Sequence, residues 1–360
     1  MTKPLKILAF TRYTNLGASS RLRTFQYLTL LKDSNIQVTV SPLLGDSYLK
    51  NLYQNKPTNW RLVFKAYLMQ LFKLFVCKKY DLLWIEKELF PNLPAWFEKA
   101  LNNLKINYIV DYDDAIFHNY DLPNSSKNRL LPNKIAKVMQ NAALVCCGNN
   151  YLADYAMRSG ASRIEIIPTV IDINRYAVVE TKPHSKLVIG WIGTPVTVKY
   201  LNLIAPALQM VAKELPIQLR VIGATFECDG LDVDCRPWTE ETEVKEIQDF
   251  DIGIMPLIDS PWERGKCGYK LIQYMACAKP IIASPIGVNN EIVIHGVNGF
   301  CAEHTDDWVK AFHDMYLNVH NRSVMGAKGR KIVEEKYSLQ ITAPRLAQLF
   351  HEVASQTPIK

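Results

Sequence analysis

The chain has 360 residues, 48% of them hydrophobic, and a net charge of +7 from 42 Lys and Arg against 35 Asp and Glu. That length exceeds what one hydrophobic core serves efficiently and the apolar content suffices for two, which excludes a disordered chain and a single small domain. No apolar run reaches the roughly 18 residues of a membrane span, and eight cysteines without a Cys-x-x-Cys pair point to reduced, buried thiols instead of a disulfide framework or zinc site.

Residues 5–10 form a short apolar run followed at once by polar Thr11-Arg12. That is too brief for a cleavable secretion signal, so a cytoplasmic location is expected. A polar loop over 13–20 leads into a helix reaching Leu31, and strand-like runs follow at 37–40, 82–85, 108–110, 143–146 and 164–168. Helical segments separate them. Periodicity fades over 172–186, then 187–193 restarts the same scheme, with strands expected at 219–222, 233–235, 252–255 and 281–283. Helices are expected at 306–319, 323–336 and 339–354. Alternation of this kind predicts α/β architecture with parallel sheets and crossover helices, here in two Rossmann-like halves.

The charge is concentrated in one place. Between residues 47 and 80 stand Lys50, Lys56, Arg61, Lys65, Lys73, Lys78 and Lys79, with no acid among them. The stretch WRLVFKAYLMQLFKLFVCKKY interleaves these bases with apolar and aromatic residues at helical spacing. Such a helix either rests peripherally on an anionic bilayer or covers a sheet while its lysines reach to water. No recognised nucleic-acid motif accompanies the charge, so nucleic acid is not an expected partner.

In open α/β sheets ligands bind beyond the carboxyl ends of the strands, so the loops there hold the candidate site residues. In the first, Gly17 lets the backbone approach a ligand and Arg21 and Arg23 can face a phosphate, unless Ser19 or Ser20 merely caps a turn. The next carries Glu86 and Glu88 about Lys87, suited either to gripping sugar hydroxyls or to a surface ion-pair cluster. A third, Asp111-Tyr-Asp113-Asp114 with His118 following, concentrates acids that need cations, donors or solvent. Asp113 and Asp114 are candidates for orienting an acceptor or acting as base, with His118 next, or else for capping a helix.

The densest pattern lies further on. After Gly193-Thr194-Pro-Val-Thr-Val-Lys199 in the second half, the segment PWERGKCGYKLIQYMACAKPIIASPIGVNNEIVIHGVNGF packs charged loop, helix, strand and turn without padding. Glu263, Arg264, Lys266 and Gly268 precede a helix over 269–277, whose amino terminus favours an anion such as a diphosphate.

This run, from Leu271-Ile-Gln-Tyr-Met-Ala-Cys-Ala-Lys-Pro280 through Ile281-Ile-Ala-Ser, Gly287 and Glu291 to Asn298-Gly299-Phe300, resembles the donor-site signature of family 4 retaining glycosyltransferases of the GT-B fold. The resemblance implies two Rossmann-like domains with parallel sheets facing a central cleft. An acceptor-binding domain would span 1–175, a linker 176–186 and a nucleotide-sugar donor domain 187–338, with a last helix over 339–360 crossing back. Donor contacts would fall to Gly17, Arg21, Gly193, Thr194, Lys199, Glu263, Lys266, Gly268, Tyr269 and Gln273. Acceptor contacts would fall to Glu86 and Glu88, and catalytic work to Asp113, Asp114, His118 and Lys270.

The family's two glutamates at this loop are absent in strict register, where Gly265 and Gln273 stand. Glu263 can replace the first for the sugar, and Gln273 can still hydrogen-bond a ribose hydroxyl. Asp111-x-Asp113 imitates the metal-binding pair of GT-A transferases, but that fold lacks a second Rossmann half, so no metal or other cofactor is expected. The implied partners are a nucleoside-diphosphate sugar, a glycan or polyprenyl-linked acceptor, and an anionic membrane surface through 47–80. Two other readings stand beside this one. One is a nucleotide-sugar-binding module without catalysis; the other is a Rossmann oxidoreductase, which would want Gly-x-Gly-x-x-Gly where 13–21 has only Gly17.

Overall fold

A computed structural model describes residues 3–54, 56–122, 130–179 and 184–356. They form two compact units, Met1–Thr169 with Thr342–Lys360, and Val170–Ile341. In the first unit β1 (Leu5–Tyr13), β2 (Ile36–Leu44), β3 (Leu82–Glu86), β4 (Tyr108–Tyr112), β5 (Leu144–Cys147) and β6 (Ile164–Ile166) make one sheet in the order β2-β1-β3-β4-β5-β6. Every pairing is parallel. The central strands β3, β4 and β5 are buried at every residue, which is why they read as continuous apolar runs without alternation. From the Leu339–Ser355 helix, Leu349, Phe350 and Val353 are buried, and the Phe350 ring sits edge-on to Trp84 of β3 at 5.0 Å.

The second unit repeats the plan with β7 (Leu187–Ile192), β8 (Ile217–Ile222), β9 (Asp232–Arg236), β10 (Ile252–Met255), β11 (Ile281–Ala283) and β12 (Gly299–Cys301), ordered β12-β11-β10-β7-β8-β9. These pairings too are all parallel. β12 is not expected from the sequence, because its three residues, opening on the glycine of Asn298-Gly299, carry no periodicity. What makes the strand is close packing: a Cβ on Gly299 would lie 1.9 Å from the Ile281 carbonyl oxygen of β11. Tyr176, at the start of the segment read as a linker, is buried in this unit's core; residues 180–183 of that segment lie outside the described residues.

Strand order reverses between β1 and β3 in the first unit and between β7 and β10 in the second. A doubly wound sheet leaves a crevice at such a point, because the crossovers on either side leave for opposite faces. In the second unit the reversal is built on a glycine pair. Gly190 of β7 and Gly253 of β10 stand side by side in register. The space of their missing side chains is filled by the rings of Phe250 and Tyr274, which meet edge-on at 5.9 Å.

A Cβ on Gly253 would lie 2.2 Å from the Tyr274 ring. Gly253→Ala is therefore expected to destabilise the second unit by about 1–3 kcal/mol through overpacking, read as a lower urea midpoint. Gly45→Ala, where an added Cβ meets nothing within 4 Å and only the N-cap of the Asp46–Tyr53 helix is weakened, should cost no more than about 1 kcal/mol.

Candidate functional site

In the second unit the crevice between β7 and β10 is bordered by Gly193 and by the loop that follows Met255. The Tyr269–Ala276 helix starts from Gly268, whose φ of +65° is left-handed and whose Cβ would meet Ile292 at 2.3 Å. Glycine alone turns the chain there without strain. Tyr274 then fastens the helix to both strands: its hydroxyl oxygen accepts from the Ile192 N–H at 3.0 Å, and its hydroxyl reaches the Ile254 carbonyl at 3.4 Å.

One turn earlier on the same helix, the Lys270 ammonium lies 4.1 Å from the ring centre of Trp191. It occupies the space a Gly193 side chain would need, 2.8 Å from the position of an added Cβ. Among the described residues no carboxylate pairs with Lys270. Burial, and after it the like charge of Lys266, pushes its pKa down to about 7. A half-buried cation on an aromatic face, with no carboxylate paired to it among the described residues and at a helix amino terminus, is a place for an anion to bind.

Glu263 lies nearby in the sequence but is buried, receiving the hydroxyls of Tyr200 and Ser260. Burial and then this carboxylate raise the pKa of Tyr200. Lys199, exposed, places its ammonium 5.4 Å from the Tyr200 ring. Thr194 is exposed, its N–H bonded to Thr197 Oγ1 at 3.1 Å. Tyr269 packs against the core, and Arg264 is a surface residue in a two-pronged pair with Asp259 at 2.6 and 2.8 Å.

Gln273 corrects the sequence reading. It is buried, and its Nε2 donates to the Tyr176 hydroxyl at 3.1 Å, which donates to Glu243 Oε1 at 3.1 Å. Trp238 Nε1 donates to the other oxygen of Glu243 at 2.8 Å. The side chain expected to meet a ribose is tied into an internal chain of hydrogen bonds. Trp191 was missed as a site residue because it reads as core; its one local signal is the pair of small residues, Gly190 and Gly193, about it. Tyr200 and Glu243 carry no such signal.

The edge of the first unit is built on opposite lines, with nearly every charge answered. Arg23 is fully buried and grips Asp111 with two hydrogen bonds, Nε to Oδ1 at 2.7 Å and Nη2 to Oδ2 at 3.0 Å. It also donates to the Ile167 carbonyl at 2.8 Å. Arg23 is therefore not available to a phosphate, as the sequence reading had it; Arg21, partly exposed, donates to the Asn15 carbonyl at 3.3 Å. Nor does Gly17 open the loop to a ligand, because a Cβ there would lie 2.5 Å from Tyr13 Cβ.

Lys87, held in a left-handed conformation at φ +65°, binds Asp113 at 2.8 Å, Asp114 at 3.6 Å and Ser19 Oγ at 3.1 Å. Burial alone would lower its pKa, but Asp113, Asp114 and Glu86 hold it above the usual ammonium range. Asp113 is likewise opposed by burial, yet Lys87 keeps its carboxyl below the usual carboxylate value. Such a carboxylate is a weak base. His118 is committed at both ring nitrogens, to Asp121 at 2.9 Å and the Tyr151 hydroxyl at 2.8 Å.

Glu88 is no surface ion pair. It is buried among Lys134, Arg12 at 3.3 Å and the Tyr120 hydroxyl at 3.0 Å. Glu86 differs. Its Oε2 accepts from Ser20 Oγ at 2.6 Å and from the Arg12 N–H at 2.9 Å, while its buried Oε1 has no partner. Burial raises its pKa above the usual carboxylate value.

A lysine whose pKa is depressed in the folded state is costly while the folded state must hold it charged. The cost is complete below about pH 7 and shrinks as pH climbs toward the ordinary lysine value. Lys270→Met is therefore expected to raise the melting temperature of the ligand-free protein at pH 6.5 and to raise it less at pH 9.5. An equal shift at both values would show that Lys270 titrates normally.

Residues 186–319 match the family model of glycosyl transferases group 1. Among curated proteins, TuaH of Bacillus subtilis (strain 168), provisionally assigned as a teichuronic acid biosynthesis glycosyltransferase, is 22% identical over 209 residues, 50% of this chain and 52% of that protein. The match thus spans about half the length of that relative. Among solved structures, sucrose-phosphate synthase from Thermosynechococcus elongatus superposes with a TM-score of 0.73 at 15% identity, over 97% of this chain and 99% of the other. HepE of Anabaena in complex with UDP-glucose superposes with a TM-score of 0.66 at 16% identity, over 97% and 100%. Residues 186–319 are thus similar to glycosyl transferases group 1, and the chain has the fold of the GT-B glycosyltransferases.

Proposed function

We propose that this protein transfers a glycosyl group from a nucleoside-diphosphate sugar to a hydroxyl of a glycan or polyprenyl-linked acceptor in cell-surface polysaccharide synthesis, with retention at the anomeric carbon. The observation that carries this reading is Lys270, a half-buried ammonium on Trp191 with no carboxylate paired to it among the described residues. The HepE structures contain UDP and UDP-glucose, which supports a donor of this class, and the provisional assignment of TuaH supports the acceptor class. We place the protein in the cytoplasm, where its eight free cysteines stay reduced.

In the reaction the bond from the anomeric carbon to the diphosphate oxygen breaks and the acceptor oxygen bonds to that carbon. The acceptor's proton passes to the departing phosphate. Negative charge grows on the diphosphate as this happens, and a preorganised cation there stabilises the transition state more than the ground state. We assign that role to Lys270, aided by Lys266 and the first turn of the Tyr269–Ala276 helix. Because these groups supply the positive charge, turnover is expected to survive a chelator. Attack on the face from which the diphosphate leaves needs no carboxylate nucleophile, which accords with Asp113 and Asp114 being bound by Lys87. For an acceptor hydroxyl we assign Glu86 Oε1, the buried oxygen without a partner.

Thermal stability against UDP-, GDP-, ADP- and TDP-sugars tests the donor site, since a ligand at a hundred times its Kd adds about 2.7 kcal/mol. Lys270→Met is expected to weaken the best donor about 10- to 100-fold. Since a bound diphosphate favours the charged lysine, wild-type affinity should fall by up to about tenfold per pH unit above 7, and the variant should lose that slope. Tight binding without product in an acceptor screen would select the inactive binding module, which the internal hydrogen bond of Gln273 favours. No response to any donor would end the proposal.

A further inference from the structure

The Trp60–Phe75 helix of the first unit is anchored on one side only. Gln70 is buried and bonded to the Leu89 carbonyl, and the Tyr67 hydroxyl donates to the Pro91 carbonyl at 2.7 Å. The opposite face is apolar and bare: Trp60 is 72% exposed, Phe64 66%, Phe72 66% and Phe75 74%. Arg61 and Lys65, both exposed, stand among these rings on the same face. A soluble monomer rarely leaves so contiguous an apolar strip in water, and 16 residues of helix make it about 24 Å long. Beside it lies a cavity of about 460 Å³ whose lining includes Leu62 and Met69 together with Lys56, Lys65 and Lys73.

We infer that this face docks on an anionic phospholipid bilayer, the helix lying in the interface with its rings among the acyl chains and its bases at the phosphates. Charge decides the occupant. A second copy packed symmetrically on the same face would set identical bases against one another, and residues 47–80 offer no acid to pair with them. Nucleic acid would use the bases and rings but not the exposed aliphatic Leu62, Leu68, Met69 and Val76. No helix among the described residues is long and apolar enough to cross a membrane, so the contact is peripheral.

The test is co-sedimentation of the full chain with vesicles of phosphatidylcholine alone and of phosphatidylcholine mixed with phosphatidylglycerol. Binding is expected only to the mixed vesicles and should weaken with salt. It should fall about fivefold for each base removed, so Arg61→Gln with Lys65→Gln costs about 25-fold. Phe64→Ser with Phe72→Ser should abolish what binding high salt leaves. Melting temperatures of the variants, and their shifts with the best donor sugar, separate a lost surface from a lost fold and stand independently of the donor proposal. Three outcomes would overturn the inference: equal or absent binding to both vesicles, binding unchanged in folded variants, and displacement of the protein from vesicles by a single-stranded oligonucleotide at equal charge. So would a dimer, seen by sedimentation, that the phenylalanine changes dissolve.

Discussion

Tyr274 is the constraint on which the second unit's site depends. Its ring fills the slot left by Gly253, beside the Phe250 ring over Gly190, and its hydroxyl is held by the backbones of β7 and β10. A ring clamped at both ends has no rotational freedom to yield, so it fixes the height and rotation of the helix that carries it. Lys270 stands one turn away on that helix and inherits its position from the clamp. Trp191 and Gly193 complete the setting, the first by offering a π face and the second by leaving room for the ammonium. A long flexible side chain is held here by its neighbours' shapes instead of by a salt bridge, and so its charge is available to a ligand.

The first unit solves the same topological problem with different chemistry. Its strand ends bring together more ionisable groups, and they are consumed in pairs: Arg23 with Asp111, Lys87 with Asp113 and Asp114, Lys134 and Arg12 with Glu88. Buried pairs of this kind contribute little net stability, because desolvation offsets attraction, yet breaking one is costly. What they do well is set geometry. Ser19 and Ser20 join the Ala18–Arg23 helix to the end of β3 through Lys87 and Glu86. The result is a rigid edge with one carboxylate oxygen, Glu86 Oε1, left over.

The two edges show why residue type alone misleads about chemistry. Asp113, Asp114 and His118 are the residues a chemist would choose for acid–base work, and they are bound to Lys87, Asp121 and Tyr151. Trp191 reads as core in the sequence and Lys270 stands out there only through the family resemblance, yet together they form a cationic site with lowered pKa and, among the described residues, no paired carboxylate. Availability depends on what fills the rest of the hydrogen-bonding sphere, and Lys87 and Tyr151 come from elements about 25–35 residues away in the chain, Asp121 alone being a near neighbour.

The sequence by itself determined the layout. Alternating apolar runs and helical segments were enough for eleven of the twelve strands among the described residues, most plainly for the central ones, since burial on both faces of a parallel strand writes a continuous apolar run into a local stretch of chain. The loop before the Tyr269–Ala276 helix was legible for the same reason: glycines, lysines and a helix start are all local features. The tertiary structure decided which side chains are spent and which are left. Whether Arg23 meets a phosphate or Asp111, and whether Gln273 meets a ribose or Tyr176, depends on residues 88 and 97 positions apart. The three-residue β12 and the Gly190 and Gly253 slots belong to this second class as well. A glycine shows in the sequence, but the ring that needs its space comes from elsewhere in the chain and is brought there only by folding.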